Sequence, residues 1–324
     1  MNRAVILLYH RVARAAIDPW QLCVSPEHFE QHLSHLRRSF RVISLPELVD
    51  AHVSGSIPAN AVAVTFDDGY ADNLLEAMPL LEDSSTPATF FVTSGAIGST
   101  RGFWWDELAR YLLGSECLPE ILELDLGSHK FRLPTKDANS RRLYRWWSGR
   151  KEADKPESMR VQFHRRVYEH LRTLSPNDCR LALDQIAEWS RANGTSSSQD
   201  AMTIEQLIEL ASSDLVGIGA HSVNHPVLSN LSPQAQKVEI QESKRQLGEI
   251  IGRNIVGFAY PNGTCRDFNP QTTHMVQDSG FHYACAAEDA VVLSTSNRFA
   301  LPRITVGDWD GETFEHHLRR WLCD

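Results

Sequence analysis

The sequence has no long apolar run at its start. Ala4–Tyr9 is apolar, but His10 and Arg11 end it, so it is too short for the apolar core of a signal peptide and far too short to span a bilayer. Paired cysteines are missing too. Cys23, Cys117, Cys179, Cys265, Cys285 and Cys323 are scattered, with no CxxC and none of the density of a disulfide scaffold, and they read as reduced thiols. There is no excess of positive charge: 32 Lys and Arg stand against 41 Asp and Glu, a net charge of −9, and no basic recognition motif is present. A nucleic-acid partner is therefore not expected. Together these absences point to a cytoplasmic enzyme. What is present is 324 residues with 42% hydrophobic content, enough for one large domain with an elaboration, or for two domains.

Strand and helix patterns alternate over both flanks of the chain. Pro26–Phe40 reads as a helix with Phe29, Leu33 and Leu36 on its buried stripe, and Val42–Leu45 as a strand. Ala71–Leu81 is expected to be helical and Thr89–Thr93 a strand. Thr203 caps a helix through Leu210, and Ser232 with Pro233 opens a long helix carrying Ile240, Leu247 and Ile251 on one face. Gly257–Tyr260 and Tyr283–Ala286 read as strands around a helix at Pro270–Asp278, and Gly311–Asp324 as a closing amphipathic helix. Such alternation predicts a parallel α/β fold.

Two strand exits carry the chemistry. Thr65-Phe66-Asp67-Asp68-Gly69 follows the apolar run Ala61–Val64. Two adjacent carboxylates there need compensation, because buried unpaired charge is costly. A divalent cation on one, with a water activated for the other, would supply it. Gly219-Ala220-His221-Ser222-Val223-Asn224-His225 follows Leu215–Ile218, and two His with three residues between them can converge on one ion. Two His and one Asp leave coordination positions open, as in catalytic sites. Each turn alone also admits a plainer reading, a Gly-terminated acidic turn or a chance His pair. Together, at strand exits, they point to a hydrolytic metal site at the C-terminal face of a barrel.

At these residues the chain resembles the polysaccharide deacetylases, the NodB-homology family (carbohydrate esterase family 4). TFDDG and HSxxH match that family's first two motifs. Ala88–Val92 and Phe258-Ala259-Tyr260-Pro261-Asn262-Gly263, where the third motif belongs, agree. The resemblance covers residues 1–100 and 203–307. It implies a distorted (β/α)7 TIM-like barrel, with Asp67 as general base and Asp68, His221 and His225 as ligands of a divalent metal, zinc above all. It also implies a carbohydrate substrate, with Tyr260 and the Asn262 backbone N–H bordering it.

Two departures from the family pattern matter. Many members have an Arg in the third motif that contacts the catalytic Asp; Ala259 stands at the matching position, and Arg303 is the candidate replacement. The Leu-x-His that supplies the acid near the family's C-terminus is missing, and no closing strand is evident after Thr305-Val306. Ala4–Tyr9 followed by His10 is similar instead to circularly permuted deacetylases, in which the last strand comes first, and this gives His10 the role of general acid.

Between residues 102 and 200 the alternation stops, which predicts a mainly helical insertion or lid between barrel parts 1–101 and 201–324. Trp104–Leu113, Pro156–Leu174 and Asp178–Ala192 are its expected helices, and residues 194–198 a polar linker. Residues 130–180 hold 14 Lys and Arg against 6 Asp and Glu, net +8, which leaves −17 for the remainder. This is either a solvated face pairing with an acidic barrel or a positive lid over an anionic, nucleotide- or lipid-linked sugar. Trp146-Trp147 among Arg142, Arg145, Arg150 and Lys151 would stack on sugar, rest peripherally on a membrane, or anchor the insertion. His28, His32 and His35 share a helix with Phe29, Leu33 and Leu36 and are expected to form a solvated face, as are His316 and His317.

The reaction these residues suit is hydrolysis of an acetamide on an amino sugar in glycan or surface-polysaccharide synthesis. Asp67 takes a proton from water, the Asn262 N–H helps hold the oxyanion, and His10 protonates the departing amine. Alternatives are the same chemistry on a formamide, an O-acetyl ester or another amide, and a non-catalytic glycan-binding module, which would not need both base and acid.

Overall fold

Every side chain of Ala4–Tyr9 and Ala61–Phe66 is buried, as a strand covered on both faces requires. In the computed structural model, which describes residues 3–115, 118–125, 130–135, 159–191 and 201–323, these two are part of a parallel sheet. Its main strands are Ala4–Tyr9 (β1), Ala61–Phe66 (β2), Ala88–Val92 (β3), Val216–Ala220 (β4), Gly257–Ala259 (β5), Tyr283–Cys285 (β6) and Ile304–Thr305 (β7). They run in the order β6-β5-β4-β3-β2-β1-β7. The segment before β7 returns the sheet to its start. Leu301 N donates to Ala284 O and Ala286 N to Leu301 O (2.9 and 2.8 Å), and Ile304 and Thr305 then pair with Leu7 and Leu8. The result is an α/β fold, a distorted (β/α)7 barrel. The closing strand that the C-terminal sequence did not reveal is β7, two residues long and too short to leave a pattern.

The helices are Pro26–Ser39 (α1), Leu45–Val53 (α2), Met78–Asp83 (α3), Trp104–Leu113 (α4), Met159–Leu171 (α5), Pro176–Ser190 (α6), Ile204–Ala211 (α7), Pro233–Ile251 (α8), Pro270–Asp278 (α9) and Gly311–Cys323 (α10). Alternation along the strands sorts side chains into two layers. Ala4, Ile6, Ala61, Ala63, Phe91 and Cys285 fill the lumen, while Val5, Leu7, Val62, Val64, Phe90 and Val92 pack outward under helices. The lumen is narrow, and glycine on β4 makes room in it. A Cβ at Gly219 would fall 2.4 Å from the Phe91 ring.

Three local expectations need correction. The strand expected at Val42–Leu45 ends at Val42, and Leu45 begins α2, capped by a reciprocal Ser44–Glu47 box with Pro46 in the first turn. The segment expected as an α-helix at Ala71–Leu81 begins as a π-helical turn, Asn73–Ala77. The histidines of α1 are not a solvated face. The loop before α10, and α10 itself, cover them: His28 Nδ1 meets Asp308 Oδ1 at 2.7 Å, and His35 bonds Glu315. His32 is fully buried, stacked on Phe314, with hydrogen bonds to Tyr9 Oη and Trp309 O.

By backbone contacts the chain divides into two units: Met1–Arg14 with Gln21–Ser99 and Gln199–Asp324, and Ala15–Trp20 with Thr100–Ser198. The second has its own core, including Leu108, Leu112, Leu122, Val167 and Ile186. Besides α4–α6 it contains an antiparallel hairpin, Ile121–Asp125 with Lys130–Pro134, which the expectation of a helical insertion had missed. Trp146-Trp147, Arg142, Arg145, Arg150, Lys151 and the linker 194–198 lie outside the described residues. No helix among the described residues is long and apolar enough to cross a membrane.

Candidate active site

The lumen series of β2, Ala61, Ala63 and Thr65, continues one step beyond the strand to Asp67. Asp67 is 3% exposed, and its N–H donates to Tyr9 O at 3.0 Å. β1 pairs with β2 at a constant offset, Ala4 with Ala61 through Tyr9 with Phe66. Continuing that register by one residue sets His10 opposite Asp67. On the other side of β1, Arg303 follows Leu301 in the lumen and is fully buried.

Arg303 is used up by this position. Its Nη1 and Nη2 donate to Asp67 Oδ1 and Oδ2, both at 2.7 Å, and Nε donates to Ala286 O at 2.9 Å. Nη1 also reaches Thr65 Oγ1 at 3.3 Å. Burial pushes the Asp67 carboxyl up, but the Arg303 charge, His221 and the paired hydrogen bonds outweigh it and hold Asp67 at about 2. Asp67 is therefore an ionised carboxylate in a desolvated pocket.

The next residue faces elsewhere. Asp68 has a left-handed backbone, φ +75°. Its Oδ1 lies 3.5 Å from His221 Nε2 and 3.4 Å from His225 Nε2. One oxygen and two imidazole nitrogens lie within 4.8 Å of one another, a set that could hold a metal ion. The chemistry of the donors fits. His221 Nδ1 bonds Ala259 O at 2.8 Å, and a carbonyl only accepts, so the proton is on Nδ1 and the Nε2 lone pair faces Asp68. Burial lowers both imidazoles below the ordinary histidine value, His225 the further, which favours the neutral form that a metal requires.

His10 is half-buried. Burial lowers it to about 4, against the pull of Asp67 and with help from Arg303 and His221. Its carbonyl accepts from Asn73 Nδ2 at 2.8 Å, and Asp72 holds the next two residues through Arg11 Nε (2.8 Å) and Val12 N (3.2 Å). Asp72-Asn73 follows the DDG turn by a few residues, and that polar pair was the available signal for this grip. In the third motif, Asn262 has φ +58°. Tyr260 is turned into the core, its hydroxyl on Phe299 O at 2.8 Å and its ring stacked on Phe268 at 3.9 Å, so its side chain is not among the grouped polar atoms. Glu239 was missed by sequence reasoning: it is buried on α8 and accepts from Val223 N and Asn224 N at 2.9 Å each. A carboxylate on the same helix stripe as Ile240, Ser243 and Leu247 was the signal.

Residues 54–121 and 159–284 match the family model for polysaccharide deacetylase. A Bacillus subtilis (strain 168) protein provisionally named a polysaccharide deacetylase, YxkH, is 26% identical over 105 residues. That stretch is 32% of this chain and 36% of YxkH, so the match spans about a third of the relative's length. Among solved structures, the Streptococcus pyogenes deacetylase PplD in complex with acetate superposes over 99% of each chain, with a TM-score of 0.60 at 17% identity. IcaB from Ammonifex degensii does so over all of this chain and 98% of its own, with a TM-score of 0.59 at 18% identity. These two likenesses concern the fold.

Proposed function

The chain belongs to the polysaccharide deacetylase family, and from that premise we propose that it is a metal-dependent N-deacetylase. Its substrate is the acetamide of an amino sugar in glycan or surface-polysaccharide synthesis. One observation carries this reading: a carboxylate held ionised by a buried arginine stands beside a separate two-histidine, one-aspartate cluster. A base next to a ligand set is what amide hydrolysis needs and what glycan binding does not.

In this reading Asp68, His221 and His225 would hold a divalent ion, for which we propose zinc on its preference for imidazole and carboxylate donors. Bound there, it would polarise the acyl carbonyl and make water reactive at neutral pH. Asp67 accepts the proton that the attacking water loses. His10, which stands next to Asp67 in register, delivers a proton to the departing nitrogen. The N–H of Asn262 steadies the developing oxyanion, and the buried Tyr260 ring braces the loop that presents it. Cys23, Cys179, Cys265 and Cys285 are free thiols, in keeping with a cytoplasmic setting.

The test is incubation of the zinc-loaded protein with acetylated and formylated amino sugars, free and nucleotide-linked. Acetate release is expected. Formate release in its place would move the reaction to a deformylase, and no release from any sugar would remove the enzymatic reading. In parallel, metal analysis of His225→Ala should show zinc lost; full zinc content would defeat this ligand set.

A further inference from the structure

The turn between the two histidines is held from both sides. On one side, three successive amides of the segment after β3 donate to the two ligand-bearing turns: Thr93 N to Asp68 O (3.0 Å), Ser94 N to Ser222 O (3.1 Å) and Gly95 N to Val223 O (2.9 Å). The approach is close enough that a Cβ at Gly95 would lie 2.7 Å from Val223 O. On the other side stands Glu239. Its Oε2 takes the N–H groups of Val223 and Asn224, both at 2.9 Å, and its Oε1 takes Asn224 Nδ2 at 2.7 Å. The helix that carries Glu239 also steadies the opposing strap, because Ser94 Oγ donates to Gln246 Oε1 at 2.7 Å. The turn itself is an unfavourable conformation, left-handed at both Ser222 and His225, and such backbone persists only where its surroundings enforce it.

We propose that Glu239 is a positioning residue for the metal centre: by gripping the peptide groups of Val223 and Asn224 it sets the His221–His225 spacing before an ion binds. The inference rests on the reading of Asp68, His221 and His225 as ligands. A buried carboxylate on an otherwise packed helix face is costly unless its oxygens are satisfied. Here three donors satisfy them, and all three belong to the ligand turn. The oxygens matter through their position as acceptors rather than through their charge, and this separates Glu239 from a remote anion that merely attracts a cation.

Three substitutions in the full-length protein test this. Glu239→Ala removes the acceptors. Glu239→Asp keeps the charge but withdraws the oxygens by one methylene. Glu239→Gln loses the charge but keeps an oxygen for both backbone N–H groups, and Asn224 can turn its own oxygen to the new amide. Metal-free protein is titrated with Co2+, followed by its d–d absorption, and with Zn2+ against a chromophoric chelator; thermal midpoints of the metal-free forms are recorded separately. The Ala and Asp variants should bind about 10–100-fold more weakly, the range for loss of a group that orients a ligand, with an altered cobalt spectrum. The Gln variant should stay close to wild type in both. Wild-type affinity in a folded Ala variant overturns the proposal. If the Ala variant does not fold, the other two decide: a weak Asp and a strong Gln variant support positioning, and the reverse order shows that charge is what counts and overturns it. A wild-type protein that binds neither ion fails the ligand reading itself, and the proposal with it.

Discussion

Each of the two units buries a carboxylate against arginine, to different ends. In the second unit Glu107, 5% exposed, takes Arg180 Nη1 at 2.8 Å and Arg101 Nη2 at 3.0 Å, while Arg101 also reaches Asp184. Both arginines stay more than a third exposed, so water screens the network, which ties α4 to α6. In the barrel unit Arg303 is wholly buried and Asp67 nearly so, with His221 Nε2 a further 3.8 Å away. A buried ion pair is thus no mark of a site by itself. Its partners' neighbours are: solvent in one case, imidazoles and left-handed backbone in the other.

The comparison can be broken by substitution. Asp67→Asn should keep metal and lose at least about 10²-fold in turnover, and His10→Ala should do the same. Glu107→Gln should leave the turnover of folded protein intact. Metal content with kcat checks all three, and a Glu107 variant as slow as Asp67→Asn would erase the distinction. The cations should differ next. Arg303→Met strands a buried carboxylate and should cost about 3–5 kcal/mol in urea unfolding, against at most about 1 kcal/mol for the half-exposed Arg180→Met. Since Asp67 lies at about 2 in the folded chain against 3.8 ordinarily, its contribution is complete above pH 3.8 and fades as the pH falls toward 2. Arg303→Met should remove that dependence.

The buried histidines sharpen the contrast at smaller amplitude. Burial holds His32 in the barrel and His164 in the second unit at about 4, below the ordinary 6.5. A lowered histidine adds stability that is complete above pH 6.5 and is lost as the pH falls toward 4, by about 3 kcal/mol each. They differ in hydrogen bonding: both ring nitrogens of His32 are bonded, whereas neither nitrogen of His164 has a hydrogen-bond partner among the described residues. His164→Phe should therefore be nearly neutral at pH 7 and stabilising at pH 5. His32→Phe should cost about 1–3 kcal/mol at pH 7 through the bonds it strands. Equal costs at pH 7 would show that the two burials are equivalent.

Local sequence determined what depends on neighbours within a few positions. The apolar runs at Ala4–Tyr9 and Ala61–Val64, the caps at Thr203 and Ser232, and the DDG and HSVNH turns were legible because strand period, capping and turn chemistry act over two to four residues. The capping box at Ser44–Glu47 was equally local and was passed over for the apolar pair Val42-Ile43. Tertiary structure decided the rest, including the contacts of His10 and Arg303, which the family resemblance had only named. Strand register set His10 opposite Asp67. A two-residue strand, without pattern of its own, carried Arg303 across 236 positions to Asp67. Burial under α10 turned the α1 histidines from an outer face into a packed one, and α8 delivered Glu239 to a turn it does not adjoin in the chain. Each of these is a contact between segments whose separation the sequence does not encode locally. They exist because a closed parallel barrel brings every strand's C-terminal end to one rim, where polar groups from distant segments must satisfy one another out of water.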